Sequence, residues 1–295
     1  VGSVLDKYSY LTETDRGLFL KKSLESRINR SLLANIAQIK GSGFMPDRLE
    51  QGYSYNMALE NGDRISFSGI IDRIDICTNE DDKYIRVIDY KTGNRYIDLN
   101  DVYDGRQLQM IMYLEGAIQS IYKDETIIPA GVFISHINNP VIEYENVSSD
   151  VDTEIQKELS LSGIINSDPD IIELLDRAKT SNLIDKVKFK KDGSMSKSSA
   201  IMMSTEQFAA ARNFEVLKIK SIGKKILHGD IEPRPYKKQI ADVKNPKENT
   251  ACQYCDYGNI CSFSYDNKAF KYNNCSKMKT DEIISLITLK GENNE

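Results

Sequence analysis

The sequence predicts an α/β fold in which a mixed sheet is flanked by helices. Apolar residues recur at helical spacing from residue 14 to 39, which indicates an amphipathic helix. From Gln51 to Cys77 apolar and polar residues alternate, and the hairpin turn signal Asn61-Gly62-Asp63 interrupts them. The wholly apolar run at 130–134 is typical of a buried strand. A helix, a hairpin and a buried strand in this order favour a mixed sheet between helices.

The remaining elements complete this prediction. The segment from Tyr84 to Lys91 is rich in β-branched residues and ends before Thr92-Gly93, so a third strand is expected there. Helical patterns follow at 107–121, near 169–178 and at 205–228, and the Lys-rich run 186–191 is typical of a strand.

Composition sets broad limits on the protein class. The 295 residues are 40% hydrophobic and 28% charged, as in ordinary globular proteins. The sequence has no apolar run long enough to span a membrane and no secretory signal pattern, so a cytoplasmic protein is expected. The net charge of −5 argues against nucleic acid binding over the whole surface but not against binding in a local channel.

Two aspartates are candidate metal ligands. Alternation along a strand points Asp89 and Lys91 to one face and Tyr90 to the other. If the preceding strand pairs as a hairpin, Asp72 reaches the same end of the sheet. Two converging carboxylates invite a divalent cation such as magnesium, to which the backbone carbonyl of Tyr90 could add a ligand. Lys91 would then assist the attacking water. The alternative is a salt bridge without chemistry on an exposed sheet face.

Gln109 and Tyr113 lie four residues apart on the next predicted helix and therefore share a face. An amide and a phenol there could hold a nucleic-acid backbone or the lysine. The alternative is an ordinary helix with solvated polar residues.

Five cysteines without a secretory signal speak against a disulfide framework. Cys252, Cys255 and Cys261 have C-x2-C-x5-C spacing, which suits one soft metal centre but leaves it one ligand short. Zinc, or a redox pair, would explain the cluster on spacing alone.

Three segments together resemble the RecB-type nucleases of the PD-(D/E)XK superfamily. They are Gly69-Ile70-Ile71-Asp72, then Asp89-Tyr90-Lys91-Thr92-Gly93, then Gln109 and Tyr113 in a Gln-x-x-x-Tyr pattern. The cysteine spacing, together with Gly43-Phe44-Met45-Pro46 and Arg234-Pro235-Tyr236, is similar to the AddB family of helicase-nuclease subunits.

The resemblance implies a restriction-endonuclease-like core and Mg²⁺-dependent hydrolysis of DNA. Asp72 and Asp89 would bind the ion, Lys91 would assist the water, and Gln109 and Tyr113 would orient the substrate. It also implies exonuclease action in double-strand-break repair by recombination, beside an AddA-type helicase-nuclease partner. Cys252, Cys255 and Cys261 would hold a 4Fe–4S cluster.

The sequence departs from the family pattern in two ways. The family's first cluster cysteine precedes the nuclease core, whereas Cys77 is the first cysteine here, so the fourth ligand is expected outside this chain, with Cys77 or Cys275 as substitutes. The family also has a metal-binding histidine on an early helix, and neither His136 nor His228 is in that place. A nuclease fold that only binds and guides DNA therefore stays open as an alternative, as does a structural role with a zinc site.

Three consecutive segments are expected from the resemblance. Residues 1–140 would form the nuclease core, residues 141–232 a family-specific insertion with helices that complete the domain, and residues 233–295 the cysteine segment and tail.

Overall fold

The structure is a computed structural model, and it describes residues 2–8, 10, 12–142, 151–193, 195–196, 200–237, 250–261, 263–264 and 271–293. Residues 143–150, the first part of an acidic stretch near residues 143–158, lie outside the described residues. The helices are α1 (Gly2–Leu5), α2 (Asp15–Gly41), α3 (Leu99–Tyr103), α4 (Gln109–Gly116), α5 (Val151–Glu158), α6 (Pro169–Leu175), α7 (Thr205–Leu227) and α8 (Thr280–Glu292). The strands are β1 (Met45–Ala58), β2 (Arg64–Asn79), β3 (Asp82–Lys91), β4 (Ile127–His136), β5 (Ser162–Asn166), β6 (Ile201–Met203), β7 (Tyr236–Lys237) and β8 (Asn273–Asn274).

Six strands form one mixed sheet in the order β1-β2-β3-β4-β5-β6. β2 pairs with β3 antiparallel, β3 with β4 parallel, β4 with β5 antiparallel and β5 with β6 parallel. The parallel step from β3 to β4 requires a crossover, and α3 and α4 lie in that connection. The predicted α/β class with a mixed sheet is confirmed.

The main predicted elements are present. The N-terminal helix is α2, whose N-cap Thr14 accepts a hydrogen bond from the backbone N of Gly17 at 3.0 Å. The hairpin turn lies where Asn61-Gly62-Asp63 predicted it, with Gly62 at φ +87°, a conformation that glycine adopts without strain. No helix of the described residues is long and apolar enough to cross a membrane.

Two details of the prediction are wrong. The Lys-rich run 186–191 is not a strand: Lys186 has φ +63°, and the bridge that the described residues show for this segment, from Phe189 to Met195, is isolated. In α2, the apolar side chains expected to face a core are instead largely exposed, as Leu32 and Leu33 show at 49% and 60%. The short strands β5 and β6 and the helices α3 and α8 were not predicted.

The chain forms two compact units. Unit 1 consists of residues 1–55, 68–97 and 110–208. One of its core clusters packs α6 residues against β3, β4 and β5, and includes Phe44, Ile88, Phe133 and Leu175, all fully buried. The expected three-segment division of the chain stays a prediction.

Unit 2 consists of residues 56–67, 98–109 and 209–295. α8 packs on α3 and α7: the Gly291 backbone lies so close to the carbonyl of Ala210 that an added Cβ would come within 2.0 Å of its oxygen. The rings of Tyr103 and Phe214 stack in parallel with centroids 5.7 Å apart. Asp104 accepts hydrogen bonds from the backbone and hydroxyl of Ser276 at 2.8 and 2.6 Å.

Candidate functional site

The β2–β3 hairpin places two carboxylates opposite each other. Arg73 pairs with Ile88 in this antiparallel ladder, so the register continued by one residue sets Asp72 opposite Asp89. Cross-strand partners share a sheet face, and their Cβ atoms lie about 4.5–5.5 Å apart. Asp72 Oδ2 also accepts a hydrogen bond of 2.8 Å from the backbone N of Tyr90, which fixes this carboxylate against the end of β3.

Asp89 is a buried acid with one cationic neighbour on its own strand. Its residue is only 2% exposed, and Lys91 Nζ lies 2.6 Å from Oδ2. Burial raises the pKa of the Asp89 carboxyl, the ion pair with Lys91 opposes that rise, and the charge of Asp72 adds to it. The Asp89–Lys91 salt bridge weighed as an alternative therefore exists, but it is largely buried rather than on an open sheet face.

The opposite face of the same hairpin carries a closed ion cluster. Asp75 accepts two hydrogen bonds from Arg73, at 2.6 and 2.7 Å, and one from Arg86 at 2.8 Å, and all three residues are almost fully buried. Arg73 Nη1 also donates to the hydroxyl of Tyr90 at 3.2 Å. The arginines thus neutralise Asp75 on this face and leave Asp72 and Asp89 on the other, as strand alternation requires.

Gln109 is the first residue of α4, and Tyr113 lies one turn later on the same helix, as expected. Gln109 is exposed, and Tyr113 is half-buried with its ring edge-to-face against Tyr53, at a centroid distance of 6.0 Å. Tyr53 in turn lies against the backbone of Gly116, where an added Cβ would meet the ring at 2.3 Å. The role of Gln109 and Tyr113 in orienting a substrate stays a prediction.

The donor set at the hairpin suits a small divalent cation. Asp72 and Asp89 supply two carboxylates on one face, and hard oxygen donors in small number are what magnesium takes from a protein, with water and phosphate completing its shell. The burial that raises the pKa of Asp89 is a cost that a bound cation would offset. The backbone carbonyl of Tyr90 stays a predicted third ligand.

The three cysteines of the C-x2-C-x5-C segment do not converge on one point in the part of the chain that the structure describes. Cys252 lies in a 3-10 turn at Ala251–Tyr254, and Cys255 and Cys261 are exposed in the turns that follow. Within the described residues no three His, Cys, Asp or Glu side chains come together as a metal site. Of the two substitutes considered, Cys77 is a core residue of unit 1 and Cys275 is buried in unit 2. A 4Fe–4S cluster on Cys252, Cys255 and Cys261 stays a prediction.

Sequence reasoning missed His136, which it set aside because it is not on an early helix. In the parallel β3–β4 ladder His136 is the partner of Lys91, and Ile134 is the partner of Asp89. His136 therefore lies on the same sheet face as the carboxylates, one strand away. No sequence signal could have shown this, because the register of a parallel pair joined by a long crossover is set by tertiary packing.

The chain belongs to the PD-(D/E)XK nuclease superfamily, which it matches over residues 4–262. The correspondence of Asp72 and of the Asp89-Tyr90-Lys91 sequence to the acidic residue and the D-x-K motif of this superfamily stays a prediction.

Relatives narrow the similarity to one kind of protein. The chain is 33% identical over 300 residues to the B-type ATP-dependent helicase/deoxyribonuclease subunit of Clostridioides difficile, in an alignment that covers 96% of this chain and 25% of that protein. It is 31% identical to proteins of the same description from Thermoanaerobacter sp. and Bacillus mycoides, over 94% of this chain and 24% of each relative. The chain thus spans about a quarter of the length of the curated relatives it matches.

Proposed function

We propose that this chain is a magnesium-dependent deoxyribonuclease domain that hydrolyses DNA phosphodiester bonds at the β2–β3 hairpin. The observation that carries the proposal is the opposition of Asp72 and Asp89 on one sheet face, with Lys91 Nζ 2.6 Å from Asp89. Two carboxylates can hold a divalent cation that activates water, and an adjacent lysine can offset the negative charge that develops on the phosphate.

Each residue has a distinct part in this chemistry. Asp72 and Asp89 would hold the ion, and the bond from the Tyr90 backbone keeps Asp72 in one orientation. When bound, magnesium supplies positive charge to the scissile phosphate and lowers the pKa of a water. Lys91 exchanges its contact with Asp89 for the attacking water or a phosphate oxygen, where its charge offsets the negative charge that develops. Gln109 and Tyr113 orient the DNA backbone.

The relatives favour a role for this chain as one domain of a larger helicase/deoxyribonuclease subunit. They are described as ATP-dependent helicase/deoxyribonuclease subunits, and this chain matches about a quarter of their length. We infer that the chain works within such a subunit in the cytoplasm, beside an AddA-type partner, as an exonuclease on DNA ends during recombinational double-strand-break repair. A 4Fe–4S cluster on the three cysteines belongs to the same inference, and no step of hydrolysis depends on it.

The test is Asp89→Asn, which removes the charge at nearly constant volume. Linear duplex and single-stranded DNA are incubated with the purified chain and Mg²⁺, and binding to the same DNA is measured by fluorescence anisotropy without metal. We expect cleavage by the variant to fall by at least about 100-fold, with the binding constant for DNA nearly unchanged.

A matched control is Asp81→Asn, which changes an exposed aspartate in the turn between β2 and β3 and should leave cleavage unaltered. If Asp89→Asn cleaves as fast as the unmodified chain, the assignment of the site is wrong. If the unmodified chain binds DNA but does not cleave it with Mg²⁺, the nuclease proposal fails, and a module that only binds and guides DNA is the better account.

A further inference from the structure

An exposed tyrosine lies immediately beyond the catalytic strand. Tyr96 follows β3 by five residues and is 56% exposed, and its ring contacts the His136 ring in a tilted arrangement, with centroids 4.9 Å apart and an angle of 52° between the planes. An aromatic ring that is open to water and is also held by a buried ring has the properties of a stacking surface.

His136 is held rigidly in this position. It is 4% exposed, and its Nδ1 lies 3.0 Å from the carbonyl oxygen of Gly93. Because a carbonyl only accepts, Nδ1 carries the proton and the ring orientation is fixed. Gly93 and Tyr96 belong to the same loop, so one histidine fixes both the backbone of this loop and the ring that it presents. Because His136 pairs with Lys91 in the β3–β4 ladder, the position of the Tyr96 ring is fixed relative to the catalytic strand.

A cleft adjoins the exposed tyrosine. It is small and partly open, with a volume of about 50 Å³, which leaves room for a polar group but not for a whole nucleoside, and its lining includes Tyr96, Ser162 and Lys186. Ser162 Oγ is buried and, among the described residues, has no hydrogen-bond partner. A buried hydroxyl left without a partner costs free energy, which a ligand group could recover.

The cleft lies on the face of the sheet that carries the carboxylates. Ser162 pairs with Ile134, and Ile134 pairs with Asp89, so the three residues form one row across β5, β4 and β3. Neighbouring strands are about 4.8 Å apart, which puts the backbone of Ser162 roughly 10 Å from that of Asp89. A nucleotide next to a scissile phosphate at the carboxylates would therefore reach this cleft.

The charges in the cleft favour a base over a phosphate. Lys186 pairs with Asp185, which also lines the cleft, at 3.8 Å, so the two charges largely balance. Resting on the proposed nuclease function, we propose that Tyr96, supported by His136, is a stacking platform for a nucleobase of the DNA strand at the cleavage site, with the small cleft beside Ser162 at the edge of that base. Stacking requires only a π face, so the platform would accept any of the four bases.

The experiment compares two single-stranded oligonucleotides of equal length, one normal and one with abasic sites at every position near the bound end. Their dissociation constants are measured without metal in the Asp89→Asn chain, so that neither is cleaved. We expect Asp89→Asn to prefer the normal oligonucleotide by about tenfold. Adding Tyr96→Ala should remove most of this preference, whereas Tyr96→Phe, which keeps the ring, should retain it.

Tyr10→Ala is the matched control, because Tyr10 is also a tyrosine with an exposed ring, 63% accessible. Among the ring pairs of the described residues, Tyr10 contacts Tyr8, which lies in the same N-terminal segment. It should leave the base preference intact. An unchanged preference in Tyr96→Ala would overturn the platform while the nuclease proposal stands on its own cleavage assay. A lost preference in Tyr96→Ala, together with no cleavage by the unmodified chain, would retain the platform as part of a DNA-binding module.

Discussion

Asp75 and Asp89 lie on paired strands but have opposite surroundings. Two arginines donate three hydrogen bonds to Asp75, and the cluster is closed to solvent. Asp89 has Lys91 at 2.6 Å and the like charge of Asp72 opposite, and its burial raises the pKa of its carboxyl. The ion cluster around Asp75 stabilises the hairpin, whereas the charged carboxylate of Asp89 is kept in a buried place at some cost in stability. Strand alternation separates the two roles over very few residues.

Glu215, on α7, is a further buried acid, and its burial has a measurable consequence for stability. It is fully buried on α7, and neither carboxylate oxygen has a hydrogen-bond partner among the described residues. Burial raises the pKa of Glu215 from 4.5 to about 8, and the charge of Lys218 opposes that rise. The folded state therefore holds the proton more tightly than the unfolded state.

This raised pKa predicts a pH-dependent loss of stability. The stabilisation of the folded state by the tightly held proton of Glu215 is fully present below about pH 4.5 and is lost as the pH rises to about 8. Within that interval the unfolding free energy, relative to Glu215→Gln, should fall by about 1.4 kcal/mol per pH unit at most. Urea unfolding of both proteins at several pH values measures the difference. Exposed Glu158→Gln is the control, and a pH-independent difference between the unmodified chain and Glu215→Gln would contradict the prediction.

At the scale of elements, the register of β2 and β3 depends on the ion cluster on the face opposite the carboxylates. Removing the acidic partner of a buried ion cluster leaves the remaining charges unpaired in an interior that solvates them poorly. We therefore expect Asp75→Ala to lower the unfolding free energy by about 3–5 kcal/mol. Asp81→Ala, in the exposed turn of the same hairpin, should change it by less than about 0.5 kcal/mol. Equal urea midpoints for the two variants would show that Arg73 and Arg86 are satisfied without Asp75.

The elements also show what a sequence can predict. The turn between β1 and β2 follows from the signal Asn61-Gly62-Asp63, and the shared face of Asp89 and Lys91 follows from period-2 alternation, and both patterns are local. α8 was missed because its partners are remote: Lys290 donates to the hydroxyl of Tyr103 at 2.9 Å, and Gly291 packs on Ala210. The proximity of His136 to Lys91 and the support that His136 gives to Tyr96 depend on a parallel register, which no local pattern encodes.

At the scale of the whole molecule, a ligand that binds only the folded chain raises the stability of the fold. Binding at 100 times the dissociation constant contributes about 2.7 kcal/mol, which for a chain of this size raises the melting temperature by several degrees. We therefore expect Mg²⁺ to raise the melting temperature, and expect Asp72→Asn and Asp89→Asn each to remove most of the rise. Each protein serves as its own metal-free reference, so a change in basal stability does not enter the comparison.

The control for this shift is again Asp81→Asn, which should keep the full rise, because its side chain is exposed in the turn away from the paired carboxylates. Scanning calorimetry with and without Mg²⁺ on the four proteins gives the result without a cleavage assay. Equal rises in all four would place the ion elsewhere than Asp72 and Asp89. A rise lost in both site variants and kept in Asp81→Asn would show that the two carboxylates bind the ion jointly, because either one alone would then be insufficient to retain it.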